Sequence, residues 1–137
     1  MDGQKFALAA VAGGIAVFVA GLLIYGLVFA SFMQANTMAG IHRDAPRWIV
    51  LGVANLATGT LLTTVLGYWA RVKDVPDGVR VGALLGFLVI LSIDLTIAAT
   101  SNLFPSLRVA IVDMLAYTVI LAIGGGAVGA VLTRRSS

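Results

Sequence analysis

The chain has no cysteine and no glutamate, and only one histidine and three prolines in 137 residues. Without cysteine there is no disulfide, no thiolate nucleophile, no iron–sulfur ligand and no Cys-based zinc site. The single histidine, His42, lies in a loop, so no nucleophile–base–orienter set can be assembled around it. One histidine with two buried aspartates is a poor metal set. There is also no glycine-rich loop of the kind that cradles phosphates. These absences predict a non-enzymatic protein with no metal and no cofactor. Charge is scarce as well: charged residues make up 11% of the chain, against about 25% in soluble domains. The net charge of +3 is spread over helix ends. It forms no basic cluster with exposed stacking aromatics, so nucleic acid is not an expected partner.

What fills the chain is apolar: 60% of residues are hydrophobic and the mean hydropathy is +1.04. Four long runs cover residues 6–33, 48–70, 81–103 and 109–132. Each reaches about 20 residues, enough for a helix to cross a bilayer core. The pattern predicts an all-α protein, a single antiparallel four-helix transmembrane bundle over residues 1–137, with the lipid bilayer as its surroundings. Val28-Phe29-Ala30 imitates a signal-peptidase site. The run before it, however, far exceeds the roughly 7–15 residues of a signal-peptide core, so it reads as a retained helix.

Three connections separate the runs. Residues 34–47 carry Pro46, which disfavours helix at Ala45 and suits the first turn of the next helix. Residues 71–80 contain the turn signal Pro76-Asp77-Gly78. Residues 101–106 form a tight link. Short connections predict that consecutive helices lie side by side. Lys5, Arg71, Lys73, Arg80, Arg134 and Arg135 fall on one side of the membrane and Arg43, Arg47 and Arg108 on the other. That asymmetry predicts both termini in the cytoplasm. Trp48, Tyr68 and Trp69 bracket the second run as interfacial aromatics do. Trp48-Ile-Val-Leu-Gly-Val-Ala-Asn55 and Ser106-Leu-Arg-Val-Ala-Ile-Val-Asp113 align, which suggests two hairpins related by an axis along the membrane normal; chance similarity between apolar helices is the alternative.

Sixteen glycines suit membrane helices, where small residues let backbones approach closely. Gly82-Ala-Leu-Leu-Gly86 and Gly125-Gly-Ala-Val-Gly129 are both GxxxG. They predict either packing within the bundle or a docking face for a second copy or another membrane protein. Gly14 and Gly21, like Gly52 and Gly59, repeat at heptad spacing. Gly124-Gly-Gly126 suggests a flexible or distorted stretch, because glycine is a poor helix former.

Polar residues gather toward one end of the helices. Asp94, Asp113, Asn55 and Tyr25 all fall in the predicted outer half, with Tyr117 one turn from Asp113. An intramembrane carboxylate is a functional candidate by default. Tyr117 is four residues from Asp113 on one helix face and is expected to donate to it. Arg108 is the nearest cation and is expected to pair with Asp94 or Asp113 by snorkelling. The cluster Asp94, Asp113, Arg108, Asn55, Tyr117 and Tyr25 is therefore the candidate site. It is read either as a buried network pinning helices together, as a solute, proton or ion site, or as a pocket for a quinone-like molecule or lipid headgroup.

The stretch Phe18-Val-Ala-Gly21-Leu-Leu-Ile-Tyr25-Gly-Leu-Val-Phe29-Ala-Ser-Phe-Met33 resembles the first helix of a family of small bacterial four-helix inner-membrane proteins with no assigned activity. The Thr100-Ser-Asn-Leu-Phe104 turn, the Leu107-Arg108 step and the acidic Asp113 are similar to the second half of such proteins. Ile24 replaces an aromatic, and Gly26-Leu27 replaces the family's Ser-Pro. The resemblance implies a bacterial inner-membrane location. The leading expectation is a scaffold, accessory subunit or small-ligand-binding bundle; the alternative is a small transporter coupled to protons or ions through Asp94 and Asp113. The absence of glutamate weakens the analogy with small drug exporters, which usually carry one in their first helix.

Overall fold

Apolar runs this long have one way to satisfy their backbone away from water, which is internal helical hydrogen bonding. A computed structural model describes residues 1–134 and contains only helices and connections, with no strand among them. We number the helices α1 (Gly3–Leu23), α2 (Ala30–Asn36), α3 (Trp48–Thr64), α4 (Val75–Thr100) and α5 (Leu107–Thr133). Four segments are long and apolar enough to cross a membrane: Gly3–Val28, Trp48–Trp69, Val75–Thr100 and Leu107–Thr133. Arg135, one of the residues in the charge count, lies outside the described residues.

Side chains set the helix starts. Asp2 caps α1, its carboxylate accepting from the Lys5 amide at 2.7 Å. Asp74 caps α4 in the same way, accepting from the Asp77 amide at 2.8 Å. Pro76 then stands in the first turn of α4, where its missing N–H goes unused anyway. The expected turn at residues 76–78 is thus a helix start, and α4 begins at Val75 rather than near residue 81. Proline and glycine mark turns as readily as helix starts, so the sequence signal does not separate the two.

The first span is not one continuous helix. Residues Ile24–Val28 form wide turns, the Phe29 amide reaching back five residues to the Ile24 carbonyl at 2.8 Å. The chain kinks at Phe29 and restarts as α2. The end of the second span repeats the device: Val65–Trp69 is also wide-turned, with the Ala70 amide on the Val65 carbonyl at 2.8 Å. Hydropathy does not register such a change of pitch, since every residue involved remains apolar.

In space the order is α3, α1, α5, α4. α4 lies along α5, α5 along α1, and α1 along α3. α3 and α4 hardly touch although they are consecutive. Two expectations are corrected here. Short connections do not make these two helices neighbours. A two-fold relation between hairpins would also turn the α1–α5 contact into an α3–α4 contact, which the packing lacks.

Glycine sets the closest approaches. A Cβ on Gly125 would lie 2.9 Å from the Gly82 Cα, with the Gly78 carbonyl oxygen nearer still. Across α1 and α3, a Cβ on Gly59 would lie 2.9 Å from the Gly14 Cα. Gly86 and Gly129 belong to the α4–α5 seam, against Leu121 and Gly78 respectively. Gly21 and Gly52, by contrast, face open space. α5 runs unbroken through buried Gly124, Gly125 and Gly126. The triple glycine is therefore a packing surface and not a distorted segment. Leu62, Leu66, Ile120, Leu121 and Val128 fill the core beside it. Leu8, Ile15, Ile49, Leu84 and Leu115 point outward and are exposed, as apolar side chains suited to a lipid surrounding are.

Candidate functional site

The polar cluster sits where the wide turns of the first span meet the beginning of α5. Tyr25 lies in those turns, and its hydroxyl donates to Asp113 Oδ1 at 2.6 Å. Asp94, on α4, is within hydrogen-bonding reach of Asp113. Its side chain is enclosed, with 1% of the residue exposed. One of its oxygens, Oδ2, is buried with no hydrogen-bond partner. That is an unusual state for a buried polar atom, because leaving one unpaired costs about 1–3 kcal/mol. Tyr117, on α5, reaches across to Thr58 of α3. The cluster thus touches all four spans.

Several sequence expectations resolve differently. Tyr25, not Tyr117, is the donor to Asp113. The two partners are separated by 88 positions, so periodicity on one helix could not reveal the pair. The usable signal was only that Tyr25 is a polar residue at the same depth. Arg108 pairs with neither aspartate among the described residues. Its guanidinium lies over the Phe32 ring of α2, 5.8 Å from the ring centre. Arg108 is exposed and stands at the end of its helix, where a cation over an aromatic face escapes the desolvation that pairing inside the bundle would require. Asn55 turns back on its own helix, donating to the Leu51 carbonyl at 2.8 Å.

Two cavities adjoin the cluster. A groove of about 390 Å³ between α1, α3 and α5 is lined by Phe18, Leu22, Tyr25, Asn55 and Tyr117, with Pro46 at its loop end. It is largely apolar, with the two tyrosines and Asn55 supplying its polar atoms. A second cavity of about 500 Å³ lies between the kink and the following loop, lined by Tyr25, Gly26, Ala30, Met33, Gln34 and His42. Tyr25 borders both. Neither carboxylate lines either cavity.

Chemically, the carboxylate pair can hold a proton, and the groove offers a ligand the polar atoms of Tyr117 and Asn55. No family model, curated protein or solved structure matches the chain.

Proposed function

We propose that the protein is a non-enzymatic polytopic membrane protein, a small scaffold or accessory subunit whose spans form an antiparallel bundle pinned by the Tyr25–Asp113–Asp94 cluster. The 2.6 Å bond from Tyr25 to Asp113 carries this reading. It ties the first span to the last, and Asp94 brings in α4. The antiparallel arrangement is supported by the register of contacts: Gly13 meets Val128 and Val17 meets Gly124, while Tyr25 meets Asp113. Rising numbers on α1 meet falling numbers on α5. The charge distribution supports both termini in the cytoplasm, and the family resemblance supports a bacterial inner membrane. As an accessory subunit the protein meets a membrane partner or a second copy through its lipid-facing surface. The groove between α1 and α3 is where a small amphiphilic ligand fits.

The second reading is a proton- or ion-coupled transporter. The unpartnered oxygen of Asp94 favours it. Against it stands the other half of the bundle. There the backbones of Gly78, Gly82 and Gly125 close on one another, as do those of Gly14 and Gly59. Alternating access needs a route through each half in turn, and that seam offers none. A pH-sensitive dye in liposomes containing the full chain tests the choice. The scaffold reading expects no proton flux above protein-free liposomes. Flux that disappears on Asp94→Asn or Asp113→Asn, with the fold intact, makes the transporter the better reading.

A further inference from the structure

We infer that Asp94 and Asp113 form a proton-binding site, filled and emptied from the loop end of the bundle through the hydroxyl of Tyr25. The unpartnered Oδ2 of Asp94 is buried beside a second carboxylate. A carboxylate can only accept hydrogen bonds. Two neighbouring carboxylates therefore satisfy each other only when a proton lies between them. Tyr25 supplies one donor, and Asp113 takes it. Among the described residues no other group donates to Asp94. The groups facing the pair are Tyr25 from the wide turns after α1 and Tyr117 from α5, while α3 contributes the uncharged Thr58. The nearest cation on α5, Arg108, is turned to Phe32 instead.

The ligand is a proton and not a metal ion. No third histidine or carboxylate joins the pair among the described residues, whereas hard cations take about six or more oxygen ligands. Neither carboxylate lines either of the two cavities beside the cluster, so a solvated ion has no seat there. A proton needs none.

Access is built from the kink. The wide turns at Ile24–Val28 and the break at Phe29 leave a cavity of about 500 Å³ between Tyr25 and the loop that carries His42 and Gln34. Water takes about 30 Å³ per molecule in the liquid, so the cavity has room for several. In the uptake step the Tyr25 hydroxyl gives its proton to Asp113, and the Tyr25 oxygen takes one from a hydronium in that cavity. One O–H bond forms at Asp113 and one at Tyr25; one breaks at Tyr25 and one at hydronium, which is left as water. Charge moves inward by one unit, and release is the reverse. On the far side α4 and α5 meet backbone to backbone at Gly78, Gly82 and Gly125, and no cavity there is lined by either carboxylate, so the proposed site binds protons without conducting them. The inference goes beyond the scaffold reading and does not depend on it.

Infrared spectroscopy of the full chain in liposomes tests it. At neutral pH the wild type should show the C=O stretch of a protonated carboxyl group, which shifts to lower frequency after transfer to D₂O. Asp94→Asn and Asp113→Asn should each remove the band. Tyr25→Phe should keep it but slow its shift by roughly tenfold or more, as removal of a proton-relaying group does. Absence of the band in folded wild type overturns the site, as does its persistence in both asparagine variants. A Tyr25→Phe protein that exchanges as fast as wild type overturns the route. Should the asparagine variants fail to fold, the wild-type band and the conservative Tyr25→Phe variant still decide both points. Proton flux in the dye assay would overturn the scaffold while leaving this spectrum to judge the site separately.

Discussion

Placing an alanine at Gly125 adds one methyl group where two helix backbones meet. That Cβ would lie 2.9 Å from the Gly82 Cα and 3.1 Å from the Gly78 carbonyl carbon. Ordinary carbon contacts are about 3.5–4.0 Å, so α4 has to retreat by something on the order of 1 Å. Both neighbours are backbone, and no side chain can rotate away. Overpacking of this kind costs about 1–3 kcal/mol. Against it stands the better helix propensity of alanine, about 1 kcal/mol at most. The same retreat loosens the contacts of Gly82 with Leu121 and of Gly78 with Gly129, so the upper part of the overpacking range applies. The expected net loss is about 1–2 kcal/mol. Gly52→Ala is the control: it gains the same propensity, and nothing lies within 4 Å of its new methyl group. Unfolding of both variants in detergent, followed by circular dichroism, makes the comparison. Gly125→Ala as stable as wild type, or Gly52→Ala equally damaged, refutes the argument. A Gly125→Ala variant that loses a dimer while its monomer stays intact would assign the stripe to a second copy instead.

The hydrogen bond across the bundle gives a coupled prediction. Tyr25→Phe should destabilise the wild type by about 1 kcal/mol and do nothing in an Asp113→Leu background, as read from a double-mutant cycle in the same unfolding assay. The Asp94→Leu/Asp113→Leu pair should be at least as stable as either single change, since a polar set replaced whole by apolar packing is often neutral; a double variant worse than both singles contradicts this. Topology is checked on single-cysteine variants, which the cysteine-free chain makes clean. Asp44→Cys should react with an impermeant maleimide added outside the cell and Gln4→Cys should not, and the opposite pattern overturns the proposed orientation.

The spans were legible because their signal is additive. Twenty apolar residues in a row need no partner to be recognised, and each of the four runs overlaps one helical span of the structure. The helix starts were less legible, since Pro76 and Gly78 carry the same local signature in a turn and in a capped first turn. The depth of the polar residues could be read from position along each helix, which is how Tyr25, Asp94 and Asp113 were grouped. Their bonding could not. Arg108 is one turn from Asp113 in sequence, yet it turns to Phe32, because an exposed arginine at a helix end has better places to go than a buried carboxylate. The α3–α1–α5–α4 order was also beyond reach. Loop length limits which helices may touch, but the glycine seams select which do.

The seams and the cluster together explain why the polarity is one-sided. Along the α4–α5 seam the backbones of Gly78, Gly82 and Gly125 leave no volume for water between them, so a carboxylate in that seam would be stranded. In the other half the first span abandons its regular pitch at Ile24 and breaks at Phe29. The helices no longer close on one another, and cavities open beside Tyr25. Aspartates can be kept only near that opening, where a tyrosine can serve them and protons can arrive. The kink is therefore the feature on which the polar site depends. Wide helical turns recur at functional sites for this reason: they re-aim a side chain and loosen the packing around it. Here the re-aimed side chain is Tyr25, and the loosened packing is its route to water.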